Sequence, residues 1–256
     1  MSFAEFDINF SLKGKIALVT GAAKGIGKAI AVLYAEKGAD VILIDISDEV
    51  LTVEKTIRDL GRNTLVLKTD LTKRDQIKSS VERALNMFGR IDILVNCAGV
   101  VFLDDAENLS EEDWDITMAV NLKAPFILSQ FVAHQMIKQK AGCIVNIASQ
   151  AGFIALDKHI AYTASKAAII GITKVMAAEW AEYGIRVNAV SPTVILTELG
   201  KKAWAGPVGD AMKKKIPVGR FGQPEEVAAC AVFLASDAAG MITGSNLVID
   251  GGYTIQ

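Results

Sequence analysis

The chain is 256 residues long, carries a formal net charge of −2 at pH 7 and is 51% hydrophobic. This length predicts one domain with a large buried core. The near-neutral charge gives no electrostatic reason to expect a nucleic acid or an anionic membrane surface as a partner.

The N-terminus and the cysteines indicate the compartment. Residues 1–7 lack the basic start and apolar run of a signal peptide, and we find no uninterrupted apolar stretch long enough to span a bilayer. The thiols of Cys97, Cys143 and Cys230 lie in apolar segments without metal-ligand spacing, which favours a reduced, cytoplasmic protein. The two histidines are far apart in sequence, so we expect no metal site.

Strand-like and helix-like segments alternate along the chain. We predict strands near residues 15–20, 40–45, 63–68, 91–96, 142–148, 185–191 and 245–249. We predict helices near residues 25–37, 48–60, 73–88, 111–139, 160–183 and 224–236. The alternation predicts a single α/β domain over residues 1–256: a Rossmann-like, doubly wound parallel sheet of about seven strands with helices on both faces. A glycine- and proline-rich segment near 193–220 interrupts it, and we expect a substrate lid there.

The first predicted strand is followed by a glycine-rich turn and a helix. Glycines permit a tight turn and close approach of the backbone to a ligand. The free N–H groups at the helix start would face the turn and form a seat for pyrophosphate. The spacing is G-x-x-x-G-x-G, not the usual G-x-G-x-x-G, so a purely structural turn is the alternative. The candidate cofactor residues in this turn are Gly21, Lys24, Gly25, Ile26 and Gly27.

The second predicted strand ends in Asp45. In dinucleotide folds an acid about 20 residues beyond the glycines accepts hydrogen bonds from the adenosine ribose. Such an acid also repels a 2′-phosphate, which favours NAD over NADP. Lys24 argues for NADP, because a cation in the glycine turn could pair with that phosphate, although it could equally be a solvated loop lysine. We give Asp45 the greater weight and predict NAD.

Polar or small residues also follow later strands, at the sheet edge where open α/β folds bind ligands. The candidates are Asp70, Leu71, Asn96, Ala98, Gly99 and Pro192. We predict that Asp70 and Leu71 flank the adenine, and that Asn96 to Gly99 run along the cofactor. The alternative for Asp70 is an N-cap of the next helix.

Tyr162 and Lys166 are four residues apart on a predicted helix, so both side chains lie on one face. An ammonium beside a phenol favours the phenolate, which predicts that the tyrosine pKa falls from about 10 toward working pH. A tyrosine of this kind can act as a general acid or base. By itself the spacing is common on ordinary helix surfaces.

Together these motifs resemble the short-chain dehydrogenase/reductase family over nearly the whole chain. The residues that carry the resemblance are Thr20 with Gly21, Gly25 and Gly27, Asp70-Leu71, Asn96-Cys97-Ala98-Gly99, Asn121, Ser149, Tyr162, Lys166, Ser191-Pro192 with Thr197, and Gly244 with Asp250-Gly251-Gly252. Thr193 departs from the pattern, because the family usually has glycine after the proline.

The resemblance implies a tetrad of Asn121, Ser149, Tyr162 and Lys166 that interconverts a secondary alcohol and a ketone by hydride transfer. It implies that Tyr162 is the acid/base, that Lys166 lowers its pKa and binds the nicotinamide ribose, and that Ser149 bonds the substrate oxygen. Asn121 would hold a relay water.

The resemblance also implies contacts to the nicotinamide end of the cofactor and a subunit arrangement. Pro192, Ile195 and Thr197 would lie at the nicotinamide, with Thr197 holding its carboxamide or serving as a helix N-cap. The helices near 111–139 and 160–183 would form subunit contacts in a homotetramer, with a dimer as the second choice.

The segment 191–204 resembles that of L-xylulose/dicarbonyl reductases and polyol dehydrogenases. Gln150, His159 and Trp204 would then bond the hydroxyls of a sugar alcohol, and a site built in this way discriminates well against analogues without them. His159 as a helix-start residue and Trp204 as lid packing are the alternatives.

Two other functions remain open at this stage. One is a 3-oxoacyl carrier-protein reductase using NADPH, for which Lys24 and Lys213 to Lys215 offer basic charge. The other is a non-catalytic dinucleotide-binding protein, which has no need of a proton-transfer tyrosine.

Overall fold

The computed structural model describes residues 8–198 and 204–255. The expectation for residues 1–7 and the centre of the predicted lid, 199–203, lie outside the described residues. The strands are β1 (Ile16–Thr20), β2 (Asp40–Asp45), β3 (Thr64–Lys68), β4 (Ile93–Asn96), β5 (Gly142–Ile147), β6 (Ile185–Pro192) and β7 (Asn246–Ile249). The α-helices are α1 (Gly25–Glu36), α2 (Val50–Asp59), α3 (Arg74–Phe88), α4 (Glu111–Met118), α5 (Ala124–Gln139), α6 (Ile160–Trp180), α7 (Pro207–Lys213) and α8 (Pro224–Ala235).

The seven strands form one parallel sheet in the order β3-β2-β1-β4-β5-β6-β7. The predicted Rossmann-like fold is confirmed. The strand order reverses between β1 and β4, and ligands of such sheets bind in the crevice at the carboxyl ends of the strands flanking that point.

Apolar layers cover both faces of the sheet. Ala17 and Val19 of β1 belong to one buried cluster and Leu18 to the other, as expected for successive side chains of a strand. Helices α1 and α8 pack in the first layer, where the buried Tyr34 hydroxyl donates to the Ala231 carbonyl at 2.9 Å. This packing holds the β1–α1 turn in a fixed position at the edge of the sheet.

The predicted helix 111–139 consists of three helical segments. A π-helical turn, Ala119–Lys123, separates α4 from α5. Single π-turns of this kind are frequent at functional sites, and this one contains Asn121. The whole run Glu111–Gln139 is apolar enough, by length and composition alone, to cross a membrane, although half of its most apolar window is buried inside the protein. The sequence analysis does not predict it as a membrane span because charged residues such as Lys123 interrupt the apolar run. A buried core helix can have the same length and apolar composition as a membrane-spanning helix.

The described residues just after β6 are hydrogen-bonded to the residues just before α8. Leu196 N–H donates to the Gly222 carbonyl at 2.9 Å, and Gly222 N–H donates to the Val194 carbonyl at 3.0 Å. The short helix α7 lies between β6 and α8 and was not predicted as a separate element. Arg220 forms a two-pronged ion pair with Glu226 at the start of α8, with both N–O distances 2.7 Å. Hydrogen bonds therefore join the two ends of the predicted lid segment, and an ion pair joins its second end to α8.

Candidate active site

The glycine turn after β1 fits against the turn after β4. A Cβ at Gly21 would lie 2.9 Å from the Ala98 Cα, and a Cβ at Gly27 would lie 2.1 Å from the Gly21 carbonyl oxygen. Thr20 Oγ1 joins the two turns by accepting from Cys97 N–H at 2.9 Å and from Ala98 N–H at 3.1 Å. Only glycine leaves room for this approach, which brings three predicted cofactor residues together: Gly21, Gly27 and Ala98.

The start of α1 is suited to an anion. The helix begins at Gly25, and its N-cap residue Lys24 gives the helix no side-chain cap within the described chain. First-turn N–H groups therefore remain available toward the turn, where they favour phosphate oxygens. Ile26 packs into the apolar layer beneath. These residues fit the pyrophosphate of a dinucleotide.

Asp45 is held at the end of β2 by two backbone donors. One carboxylate oxygen accepts from Ala23 N–H and the other from Ser47 N–H, each at 2.9 Å. The acid therefore lies against the glycine turn, as a ribose-binding residue should. Lys24 is largely exposed, as a solvated loop lysine would be, and its Nζ lies 2.5 Å from Glu49 Oε1. Glu49 was missed in the sequence, although it lies in the same loop as Asp45.

Asp70 forms a local turn after β3. Its Oδ1 accepts from the Thr72 N–H at 2.9 Å and from the Thr72 hydroxyl at 2.7 Å, and these bonds lower the pKa of Asp70. The N-cap of α3 is Lys73, so the alternative that Asp70 caps this helix is wrong. Leu71 packs against the second apolar cluster.

The Asn96 side chain faces the protein interior. Its amide donates to Asn146 Oδ1 at 2.8 Å and to Ser129 Oγ at 3.0 Å. These bonds link β4 to β5 and α5. The Asn96 side chain therefore stabilises the sheet, and the backbone after Asn96 lies next to the glycine turn that follows β1.

Asn121 and Lys166 converge on the turn after β4. Asn121 Oδ1 accepts from Val100 N–H at 2.8 Å, and its amide donates to the Val100 carbonyl at 2.8 Å and to Ser165 Oγ at 3.2 Å. A Cβ on Gly99 would lie 3.3 Å from Asn121 Oδ1 and 3.8 Å from Lys166 Nζ. Val100 and Ser165, which the sequence gave no signal to single out, fix this part of the tetrad.

Tyr162 and Lys166 lie on α6, and Ser149 lies in the turn that follows β5. Lys166 Nζ donates to the Ile147 carbonyl at 2.7 Å and lies 5.5 Å from the centre of the Tyr162 ring. Ser149 Oγ accepts from Ala151 N–H at 3.1 Å and so begins a short turn. A Cβ on Gly152 would lie 2.9 Å from the Lys166 backbone, so this turn packs directly on α6.

Burial dominates the protonation of the tetrad. It raises the pKa of Tyr162, and a hydrogen bond with Ser149 lowers it by less, although part of the ring remains open to solvent. Burial also lowers the pKa of Lys166 to about 8. The predicted fall of the Tyr162 pKa is therefore wrong for the chain alone, because desolvation outweighs the hydrogen bond with Ser149.

Cys97 lies between the tetrad and the cofactor turn. Burial raises the pKa of its thiol to about 12, while the charge of Lys166 lowers it and that of Asp45 raises it. The thiol therefore remains protonated at neutral pH. Within residues 8–198 and 204–255, no group of His, Cys, Asp or Glu could hold a metal ion.

Two of the three predicted substrate residues adjoin the tetrad. The His159 ring centre lies 6.1 Å from that of Tyr162, and His159 also occupies the N-cap position of α6, as the alternative proposed. Its Nδ1 lies 2.6 Å from the Asp157 carbonyl, which only accepts, so Nδ1 carries the proton. Gln150 follows Ser149 and is buried, and its Oε1 has no hydrogen-bond partner in the described structure.

Trp204 packs inside the lid. Its ring centre lies 5.7 Å from that of Phe221, which agrees with the lid-packing alternative. No described contact joins it to Tyr162.

The strand end at Pro192 leads to the glycine turn. Ile195 is buried, and a Cβ on Gly25 would lie 2.9 Å from Thr197 Cγ2. Thr197 therefore covers the turn. Thr193 N–H donates to the Ile249 carbonyl at 3.1 Å, so this residue joins β6 to β7 despite its departure from the family pattern.

Comparison with known proteins agrees with this geometry. The family model described as "Enoyl-(Acyl carrier protein) reductase" matches residues 21–254. The NAD-dependent glycerol dehydrogenase of Listeria innocua is 58% identical over 256 residues, which cover 100% of both chains. The D-threitol dehydrogenase of Mycolicibacterium smegmatis is 53% identical over 98% of this chain and 96% of that protein. The chain belongs to the short-chain dehydrogenase/reductase family.

A solved relative shows the same fold with a cofactor bound. The gluconate 5-dehydrogenase from Burkholderia cenocepacia, in complex with NADP and tartrate, superposes with a TM-score of 0.92 at 35% identity, over 96% of this chain and 98% of that one. The family membership makes this protein an oxidoreductase that uses a nicotinamide dinucleotide, as predicted.

Proposed function

We propose that the protein is an NAD-dependent dehydrogenase that oxidises a secondary alcohol of a short sugar alcohol to the ketone. The observation that carries the proposal is the position of His159 and Gln150, two hydrogen-bonding side chains, beside Tyr162 and Ser149. Relatives named for glycerol and D-threitol support a substrate of three or four carbons.

Each tetrad residue has a separate task in this proposal. A bound nicotinamide would supply the hydride acceptor for alcohol oxidation and the hydride donor for ketone reduction. Tyr162 takes the hydroxyl proton, and Ser149 donates a hydrogen bond to the same oxygen. To take this proton Tyr162 must first be the phenolate, which the ammonium of Lys166, beside the ring, stabilises. Asn121 fixes the turn against which Lys166 lies, and its role in a proton relay remains a prediction.

The cofactor lies along the carboxyl edge of the sheet in this proposal. Asp45 binds the adenosine ribose hydroxyls and repels a 2′-phosphate, which supports NAD over NADP. The remaining contacts come from the turns after β1, β3, β4 and β6. These residues are Gly21, Lys24, Gly25, Ile26, Gly27, Asp70, Leu71, Asn96, Ala98, Gly99, Pro192, Ile195 and Thr197, with Tyr162 and Lys166 at the nicotinamide ribose.

Charge near the cleft argues against a carrier-protein substrate. Asp104, Asp105, Asp157 and Lys158 line a cleft of about 520 Å³ together with His159, and Lys158 pairs with Asp105 at 3.3 Å, so the lining keeps an excess of acids. The first turn of α4 adds three more acids. An acidic surface of this kind disfavours an anionic partner and tolerates a neutral polyol. Lys213, part of the candidate basic patch, is paired with Asp210 at 3.0 Å.

The assembly, compartment and lid complete the proposal. Phe126 on α5 and Val175 on α6 are 45% and 56% exposed, which supports subunit contacts through these helices in a homotetramer. Light scattering at micromolar concentration tests this, and a monomer would contradict it. The three free cysteines support a cytoplasmic protein, and the net charge of −2 gives no electrostatic reason for a nucleic-acid or membrane partner. The substrate lid near 193–220 stays a prediction, because residues 199–203 lie outside the described residues.

The test of function is formation of reduced nicotinamide, followed by absorbance, with glycerol, tetritols, pentitols and hexitols, each offered with NAD and with NADP. We expect turnover with NAD and the shortest polyols. Silence with every polyol, together with NADPH-dependent reduction of acetoacetyl thioesters, would favour the carrier-protein reductase. A protein that binds NADH but turns over none of these substrates would favour the non-catalytic alternative.

A further inference from the structure

The loop between β2 and α2 controls the charge around the predicted ribose site. Lys24, at the start of α1, pairs with Glu49 of this loop at 2.5 Å. Lys68, at the end of β3, pairs with Asp48 of the same loop at 2.7 Å. Two cations at this edge of the sheet are therefore each held by an acid from the segment that follows Asp45.

The Lys24–Glu49 pair is accessible to a ligand. The Lys24 and Glu49 side chains are 64% and 61% exposed, and Lys24 belongs to the glycine turn that Asp45 contacts through Ala23 N–H. A long lysine side chain released at this point would be free to approach a 2′-phosphate. Asp45 alone would then repel the phosphate while Lys24 attracted it, and the two effects would oppose each other.

We propose that Glu49 is a cofactor-specificity residue. It holds Lys24 away from the ribose and so prevents the lysine from pairing with a 2′-phosphate. NAD, which has no such phosphate, loses little from this restraint. The inference rests on the proposed NAD preference and assigns part of it to a residue beyond Asp45.

The expected effect is modest because the pair is exposed. Glu49→Gln tightens binding of NADPH about three- to fivefold, the range that a solvent-exposed ion pair supports, and leaves NADH binding nearly unchanged. The gain requires the lysine, so it disappears when Glu49→Gln is combined with Lys24→Met. Asp48→Asn is the charge-matched control: it removes the same charge from the same loop but releases Lys68, so it gives a smaller gain.

The experiment titrates NADH and NADPH into the purified full-length protein without alcohol or ketone and follows the fluorescence of the reduced nicotinamide. The wild type, Glu49→Gln, Lys24→Met and the double variant form a double-mutant cycle. Thermal unfolding checks that each variant is folded. A coupling between the two substitutions that appears for NADPH and not for NADH supports the proposal.

Three results would overturn it. These are an unchanged NADPH affinity in Glu49→Gln, a gain that persists in the Lys24→Met background, and an equal gain in Asp48→Asn. The last two would mean that the loop acts through total charge alone. The polyol assignment does not depend on this titration, because no substrate is present. Tighter binding of NADPH than NADH by the wild type would instead contradict the proposed NAD preference.

Discussion

The cofactor half and the substrate half of the cleft are built by different means. Around the glycine turn the fit is made by backbone: a Cβ at Gly27 would lie 2.1 Å from a carbonyl oxygen, so the geometry leaves no choice of residue. Around Tyr162 the fit is made by side chains of the connection between β5 and α6, such as His159 and Gln150. Backbone geometry constrains one ligand type strictly, whereas side chains on loops allow substrates to differ among relatives with one fold.

The largest effect is expected from Tyr162→Phe, at the point where the substrate half meets the proposed nicotinamide ribose site. Loss of the hydroxyl removes proton transfer, so the turnover rate falls by about 10²–10⁴. The turn after β1 is untouched, so NADH affinity measured by fluorescence should stay within about twofold of the wild type. Full activity in this variant would show that another group moves the proton.

Gly27→Ala makes the opposite change, in the cofactor half. The new Cβ cannot coexist with the Gly21 carbonyl at 2.1 Å, so the turn must shift. We expect NADH affinity to fall at least about tenfold and the free energy of unfolding to fall by about 1–3 kcal/mol. Titration of NADH fluorescence and denaturant unfolding measure the two effects.

Gly171→Ala, in the middle of α6, is the matched control. Nothing in the described part of the protomer lies within 4 Å of a Cβ at this position, and light scattering checks that the proposed subunit contacts around Val175, one turn away, are kept. Alanine is the better helix former, so the free energy of unfolding should stay the same or rise by about 0.5–1 kcal/mol, with NADH affinity unchanged. A similar loss of affinity in both variants would mean that the turn geometry is not the cause.

Gln150→Met separates substrate binding from stability. In the protein alone the substitution removes a buried, unpartnered Oε1, so the free energy of unfolding should be unchanged or rise by about 1 kcal/mol. With the polyol, a hydrogen bond is lost, and kcat/KM should fall about tenfold. Chemical denaturation and steady-state kinetics give the two values. Reduced stability with unchanged kcat/KM would show that Gln150 is structural.

Much of this organisation follows from the sequence. The buried strands were recognisable as short apolar runs, and the glycines and Asp45 marked the sheet edge at which they meet. The π-helical turn at Asn121 could not be predicted, because it accompanies long-range bonds to Val100. The Lys24–Glu49 pair likewise joins two loops. The direction of the Tyr162 pKa shift depends on how deeply the packed structure buries the ring, and no spacing of residues reveals that.

The smallest predicted effect is on stability, and it concerns the Arg220–Glu226 ion pair, which lies outside the cofactor and substrate halves of the cleft. Arg220 and the Gln223 N–H lower the pKa of Glu226 from 4.5 to about 2. A carboxylate whose pKa is lower in the folded state stabilises that state above its unfolded pKa, and the contribution is lost as the pH falls from about 4.5 to about 2. The pair is exposed, so solvent screening keeps this contribution small. We therefore expect Glu226→Gln to lower the unfolding midpoint slightly at pH 7 and to have no effect near pH 2, as followed by circular dichroism. An equal loss at both pH values would mean that the substitution acts through the capping of α8 and not through the ion pair.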